Sequence, residues 1–522
     1  MNTPDSSSGI SGLLWGLVRP LSLCCGLSAY FAWKVFYALY LSPLRNVPGS
    51  FWTRISYLPM FYHDIRGTEP EFMNYHANKY GSVFVMEPKK IAVCDPEDCL
   101  IVLGSHSFLK DHHYSNVEFI EPNMFLTRDP ELNKQRRRQV GPVLSLSSLK
   151  RMEPQILEAG PKQLCDKWDR DIQNAAGSQG VARVCYHSDF TLMTFDVISS
   201  LGFGQSHRSL TTGDKKIVNW VNRTFTLIFL QAVLPIVKTR LFKSIFAKSL
   251  YNDVDEFIAL GTRAISDRKQ LLSTLSSDEG KPKDMLQSFI DAEDPESKIR
   301  MTSEQVSAET IISLLAGSDT SSNTLSWTIH LLLMHPEYYQ RAVSEVRQVF
   351  DRDHLIVYSE AKINLPFLDA CIYESMRLMP VSSNLARCMP RGGVVLGGYF
   401  IPENHTCSVS INAANRNSRV WKNPMKYLPE RFIKDDAKKR MVLTFSAGVR
   451  VCPGRNLALM EIFTTLANLL NRYDLKLPED SLFTPEKIDK NGNPVLMPYR
   501  TAATCVPKFP ERDCVVLISK RK

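Results

Sequence analysis

A mainly α-helical single domain with small β sheets, held behind an N-terminal membrane anchor, is the fold class that the sequence predicts. Three observations carry this: an apolar N-terminal segment, long helix-periodic stretches in the middle, and short strand-like runs broken by glycine and proline toward the end. The 522 residues are 44% hydrophobic and 22% charged, which favours an ordered core over disorder. Lys plus Arg total 63 against 54 Asp plus Glu. The resulting charge of +9 suits an acidic partner or an anionic membrane and leaves no nucleic-acid footprint.

The anchor comes first. Pro20–Leu41 approaches the roughly 20 apolar residues needed to span a bilayer, with Lys34 able to snorkel near one end. Trp33, Phe36, Tyr37 and Tyr40 suit an interface. The start Met1–Gly9 carries no positive charge and no small-residue cleavage site follows, so a retained anchor is expected rather than a signal peptide. Lys34, Arg45 and Arg54 put the body in the cytosol by the positive-inside rule. The proline-containing stretch Ser42–Gly49 breaks the helix, giving an anchor over 1–41 and a body over 42–522.

In the body, Thr68 with Glu69, Pro70 and Glu71 reads as a helix start, the helix stopping at Gly81. Ser82–Met86 and Lys90–Cys94 suit a hairpin around Glu87-Pro88. Helical patterns follow at Pro130–Leu144, Leu149–Ile172, Phe190–Gly202 and Asp253–Ser276. The longest helix is expected over Ser303–Met334, opened by capping-box spacing of Thr302 and Gln305 and closed by His335-Pro336. Glu304 and Glu309 lie toward the positive end of its dipole. Beyond Arg387, glycine pairs punctuate short strands such as Val394–Leu396 and Cys407–Ile411. A last helix is expected at Leu457–Leu469.

Twelve cysteines show neither a disulfide framework nor a zinc-type CxxC pair, so most read as reduced thiols. Cys452 differs. It precedes the Leu457–Leu469 helix, whose N-terminal amides favour a thiolate, and lies two residues after Arg450, a fork suited to a carboxylate. Gly448 and Gly454 permit tight turns or close approach to a flat group. Three further patterns stand upstream or between. Glu374 and Arg377, at i,i+3, can pair on one helix face among apolar neighbours. Pro429-Glu430-Arg431-Phe432 follows them. Ala316-Gly317-Ser318-Asp319-Thr320-Ser321 interrupts the longest helix, where Thr320 can bond the Ala316 carbonyl. Taken alone, each has a plainer reading: a structural thiol, a surface ion pair, a small-residue packing site.

Taken together and in this order, they resemble the cytochrome P450 family over nearly the whole chain. Phe445, Gly448, Arg450, Cys452 and Gly454 match its haem-binding signature, Glu374-Ser-Met-Arg377 its ExxR helix, Pro429–Phe432 its PERF element, and Ala316–Ser321 its oxygen-activation groove. The resemblance implies a cytochrome P450 fold and haem b with Cys452 as the axial iron ligand. Phe445 would pack beneath the haem, Gly448 would let the loop approach it, and Arg450 would pair with a propionate. Arg387 and Arg137 are further propionate candidates. Asn133, four residues before Arg137, replaces the family's usual aromatic or histidine, and Asn415 replaces a common histidine. Arg136 and Arg138 read as a solvated basic face. Glu374, Arg377 and Arg431 would form a structural network; Asp319 and Thr320 would be the catalytic pair, supplying protons for oxygen activation.

The expected function is a monooxygenase that oxidises a small hydrophobic metabolite with O2, in the flavour of fungal microsomal members of secondary metabolism. Electrons would come from NADPH through a separate NADPH-cytochrome P450 reductase, with cytochrome b5 as a second candidate donor, because the chain has no Rossmann fingerprint. The expected location is the endoplasmic reticulum membrane, with the catalytic domain cytosolic. A reductase-independent haem-thiolate isomerase or dehydratase and a non-enzymatic haem sensor are the alternatives. Asn219–Val237, Asp111–Phe125 and Val381–Leu385 are candidate walls of the substrate pocket, the first also a candidate membrane contact.

Overall fold

The computed structural model describes residues 7–117, 120–175, 180–204, 206–275, 280–501 and 504–522. Glu118 and Phe119 of the candidate loop Asp111–Phe125, the polar start before Ser7, and Ser276 lie outside the described residues.

The first helix, α1, runs Ser7–Phe36 and continues into a π-helical turn at Tyr37–Leu41. Its Ser22–Leu41 portion is long and apolar enough to cross a membrane, with a mean hydropathy of 1.2 and almost none of it packed against the body. Leu44 and Val47 in the proline stretch are buried, so the body begins there. Thr68 does not cap the helix Glu69–Tyr80: its hydroxyl lies 2.8 Å from His63 Nδ1 instead. Pro70, whose missing N–H costs nothing in the first turn, helps open that helix, and Gly81 ends it.

Strands β1 (Val83–Glu87) and β2 (Lys90–Val93) form the expected hairpin. They join β3 (Asn384–Cys388) and β4 (Thr406–Ser410) in the order β1-β2-β4-β3, with β2 and β4 parallel. A three-stranded sheet of Val181–Cys185, Val515–Lys520 and Tyr473–Lys476 ties the middle of the chain to its end. β5 (Tyr499–Thr501) and β6 (Cys505–Pro507) form a C-terminal hairpin.

Helix α2 spans Pro130–Val140 and tightens into a 3-10 turn at Gly141–Leu144, where Pro142 offers no N–H. The stretch expected as one helix over Leu149–Ile172 is two helices, Leu146–Leu157 and Gln163–Asn174, joined by a π turn at Glu158–Lys162. Pro161 inside that turn lacks the donor for a regular ladder. Further large helices include α3 (Tyr186–Phe203), α4 (Lys216–Val233), α5 (Lys248–Thr274), α6 (Ser303–Leu333), α7 (Pro366–Leu378) and α8 (Arg455–Arg472).

α6 is the rod of the fold. Both capping-box bonds form: Gln305 N donates to Thr302 Oγ1 at 3.3 Å, and Thr302 N to Gln305 Oε1 at 3.1 Å. A cap of this kind contributes about 1 kcal/mol. At 1.5 Å per residue the helix is roughly 46 Å long. Burial falls all around it, from Ile311 and Leu314 to Leu325, Trp327 and Leu332, so it lies inside the core. α3, α5, α7 and α8 all pack against it.

Candidate active site

The stretch Ala316–Ser321 sits in the middle of α6. Thr320 Oγ1 donates to the Ala316 carbonyl at 2.8 Å. A Cβ at Gly317 would lie 2.9 Å from Ile198 Cγ1, so the missing side chain admits α3 against that face. α3 also supplies Thr194, whose hydroxyl donates to the Ser318 carbonyl at 2.8 Å. Asp319 accepts the Thr504 hydroxyl on Oδ2, and Asn323 Nδ2 donates to its carbonyl at 2.7 Å. Burial pushes the Asp319 carboxyl up, opposed by hydrogen bonds from Thr504 and Asn323.

The cysteine loop runs between a 3-10 turn at Leu443–Phe445 and α8. Cys452 N donates to the Phe445 carbonyl at 2.8 Å, closing the loop. Gly448 has φ +64, and a Cβ there would lie 2.3 Å from the Leu103 carbonyl oxygen. Its close approach is to the backbone at Leu103-Gly104. Cys452 sits three residues ahead of the first residue of α8. Burial raises its thiol, opposed by the N–H groups of Gly454 and Arg455 and by Arg137. Arg137 Nη2 donates to the Val451 carbonyl at 2.8 Å, and the Arg455 guanidinium lies 5.8 Å from the Phe445 ring centre.

Four cations gather beside this loop: Arg137, Arg387, Arg450 and Lys110. Burial, with Arg387 and Arg137, pulls the Arg450 guanidinium down to about 10. Burial, with Arg387, Arg450 and Arg137, drives the Lys110 ammonium well down. Their few partners are mostly backbone carbonyls: Thr127 for Arg450, Ala386 for Arg387, Phe125 for Lys110. Among the described residues Arg450 Nη2 and Arg137 Nε are buried with no partner, and no carboxylate hydrogen-bonds any of the four. Burying like charges without an acid costs several kcal/mol. The cluster fits a dianionic group bound next to the cysteine, as the two propionates of a haem would be.

Below it, Glu374 and Arg377 on α7 are both fully buried. Arg377 Nε and Nη2 reach the two Glu374 oxygens at 2.7 and 2.8 Å. Arg377 also donates to the carbonyls of Asn415, Pro424 and Lys426, while Leu428 N and Arg431 Nε donate to Glu374 at 2.8 and 3.2 Å. The network continues to the cysteine loop: Leu443 N donates to Asn415 Oδ1 at 3.0 Å and Thr444 Oγ1 to the Met376 carbonyl at 2.7 Å.

A sequence model of the cytochrome P450 family matches residues 48–506. The chain belongs to the cytochrome P450 family. It is 39% identical over 493 residues to cytochrome P450 monooxygenase helB1 of Aspergillus fumigatus, covering 94% of this chain and 84% of that protein. It is 37% identical over 516 residues to helB2 of the same fungus, covering 97% and 100%. Among solved structures, the haem domain of cytochrome P450DA superposes with a TM-score of 0.71 at 21% identity, covering 87% of this chain and 93% of that one. The chain is a cytochrome P450 monooxygenase, and the P450 family implies a haem cofactor.

Several expectations need correction. Arg136 is buried, donating to Gln139 Oε1 at 2.7 Å and lying 3.6 Å from Glu309 Oε1, and Arg138 pairs with Asp294 and Glu296. Neither is a free basic face. Asn133 Nδ2 holds the Met124 carbonyl at 3.0 Å, and Asn415 belongs to the network above. Lys110 and Thr504 were not among the residues the sequence singled out. Each lies in or beside a loop with no periodic pattern, so only the fold brings them to the site. In the candidate wall Asn219–Val237, Trp220, Val221, Thr224 and Leu227 are buried, whereas Ile236 is exposed, as are Leu241, Ile245 and Phe246 beyond it.

Proposed function

We propose that this P450 oxidises a small hydrophobic metabolite of fungal secondary metabolism. Cys452 would bind the haem iron, with Phe445 packed beneath the ring. Arg137, Arg387 and Arg450 would hold the propionates, with Lys110 beside them. Bound there, the haem would bind and activate dioxygen. Asp319 and Thr320 would hold and move protons at their own oxygens, while Glu374, Arg377 and Arg431 keep the cysteine loop rigid. The observation that carries this reading is the buried cation cluster around the Cys452 loop, to which no carboxylate among the described residues is hydrogen-bonded. A structural thiol would not need it.

Electrons would come from NADPH through a separate reductase, with cytochrome b5 as a further donor. Residues 1–41 would anchor the chain in the endoplasmic reticulum membrane and 42–522 would form the cytosolic haem domain. The apolar Ser22–Leu41 helix supports the anchor. The test is reconstitution with NADPH and a P450 reductase, followed by mass spectrometry on extracts of the source organism lacking this chain. A precursor that accumulates in those extracts should gain oxygen only when NADPH is present. Product formation without NADPH and O2 would replace this reading with an isomerase or dehydratase.

A further inference from the structure

Asp319 is held from a distant part of the chain. Thr504, at the entry to β6, donates its hydroxyl to Asp319 Oδ2 across 185 positions of sequence. On the helix side Asn323 stands one turn on, its Nδ2 on the Asp319 carbonyl at 2.7 Å and its Oδ1 3.2 Å from His187 Nε2 of α3. The neighbour of Thr504 fixes the hairpin at two points. Cys505 N donates to the Val381 carbonyl at 2.8 Å, and its own carbonyl lies 3.4 Å from Trp327 Nε1 of α6. Val381 opens the stretch proposed as a substrate wall.

We infer that Thr504 is a positioning residue for Asp319, fixing its carboxylate against the C-terminal hairpin and linking it through Cys505 to the substrate wall at Val381. The inference deepens the monooxygenase reading and rests on it. A buried carboxyl gives up its proton only where its anion is stabilised, and a donated hydroxyl hydrogen bond does this at one fixed orientation. Among the described residues no cation faces Asp319 to take over that task. The ionisable groups on the packed elements are His187 of α3, which reaches it only through Asn323, and Glu461 of α8, which meets Ser321. Burial raises the Asp319 carboxyl, and the Thr504 hydrogen bond is the first force opposing it. Without that donor the carboxyl should stay protonated to higher pH and lose its orientation.

The test uses the holoenzyme and infrared difference titration of the protonated carboxyl band that disappears in Asp319→Asn. Thr504→Val keeps the side-chain shape, removes the donor, and should raise the midpoint of that band by about one pH unit. Thr504→Ser restores the donor and should return the midpoint to the wild-type value. With NADPH and reductase, the share of electrons recovered as peroxide should rise in Thr504→Val and fall back in Thr504→Ser. An unchanged midpoint in Thr504→Val, or no titrating band assignable to Asp319, would overturn the inference while a thiolate-type carbon monoxide spectrum left the monooxygenase reading standing. Absence of that spectrum in the wild type would overturn both.

Discussion

Arg377 meets Glu374 end to end at zero solvent exposure, two nitrogens on two oxygens at 2.7 and 2.8 Å. Every remaining Arg377 donor finds a backbone carbonyl in the stretch before the Pro429–Phe432 turn or beside it. The pair is therefore satisfied on all sides and tied to the cysteine loop through Asn415 and Thr444. A buried charge is tolerated in this form and in few others.

Removing either partner should cost about 3–5 kcal/mol, because the other is left buried and unpaired. Glu374→Ala and Arg377→Ala should each lower the yield of folded, haem-loaded chain and its thermal midpoint. Normal folding with full haem occupancy would contradict the network account.

Gly448→Ala places a Cβ against the Leu103 carbonyl at a positive φ. Either the loop or the Leu103-Gly104 backbone must move, at a cost of about 1–3 kcal/mol. Thermal melts should show the loss, together with a weaker thiolate-type carbon monoxide band. Wild-type values for both would show that the contact is not tight in solution.

Arg450→Leu separates two effects that usually run together. In the apoprotein it removes one of four crowded cations, so apo stability should hold or rise. In the holoprotein it would remove the proposed propionate partner, so haem retention should fall by roughly tenfold, about 1.4 kcal/mol. Haem transfer to apomyoglobin and apoprotein melts measure the two separately. Equal destabilisation of both forms would contradict a propionate role.

Glu309 supplies a pH test. Its carboxylate accepts Met124 N at 2.8 Å and lies 3.6 Å from Arg136, and burial pushes its carboxyl up to about 7 from an ordinary 4.5. The folded chain then binds a proton that the unfolded chain releases. The associated stability is fully present below 4.5 and is lost as pH rises through about 7. Glu309→Gln should remove this slope. Relative to wild type, the variant should gain on the order of 3 kcal/mol between pH 4.5 and pH 8, read from denaturant midpoints. Parallel pH profiles would show that Glu309 does not titrate in this window.

Periodicity and capping made much of the fold legible. The Thr302–Gln305 box marks the start of α6, His335-Pro336 its end, and Gly81 the end of the Glu69–Tyr80 helix. What stayed hidden depends on long-range packing. Glu309 looked like a dipole partner because an acid early in a helix commonly is one, and only the docking of Met124 and Arg136 buries it. Gly317 and Gly448 were legible as positions without a side chain, but the groups that need the space, Ile198 and Leu103, come from other elements. Lys110 and Thr504 carry no local signal: a lysine after an apolar residue and a threonine in a hairpin turn are common anywhere.

Cys452 is proposed to bind the haem iron through its sulfur. The ferrous–carbon monoxide spectrum of the purified chain, beside that of Cys452→Ser, tests it most directly. The wild type should give the red-shifted Soret band of a thiolate-ligated haem, and the haem-loaded serine variant should lack it, since an alcohol does not donate electron density as a thiolate does. The same thiolate band in a haem-loaded Cys452→Ser protein would contradict the account.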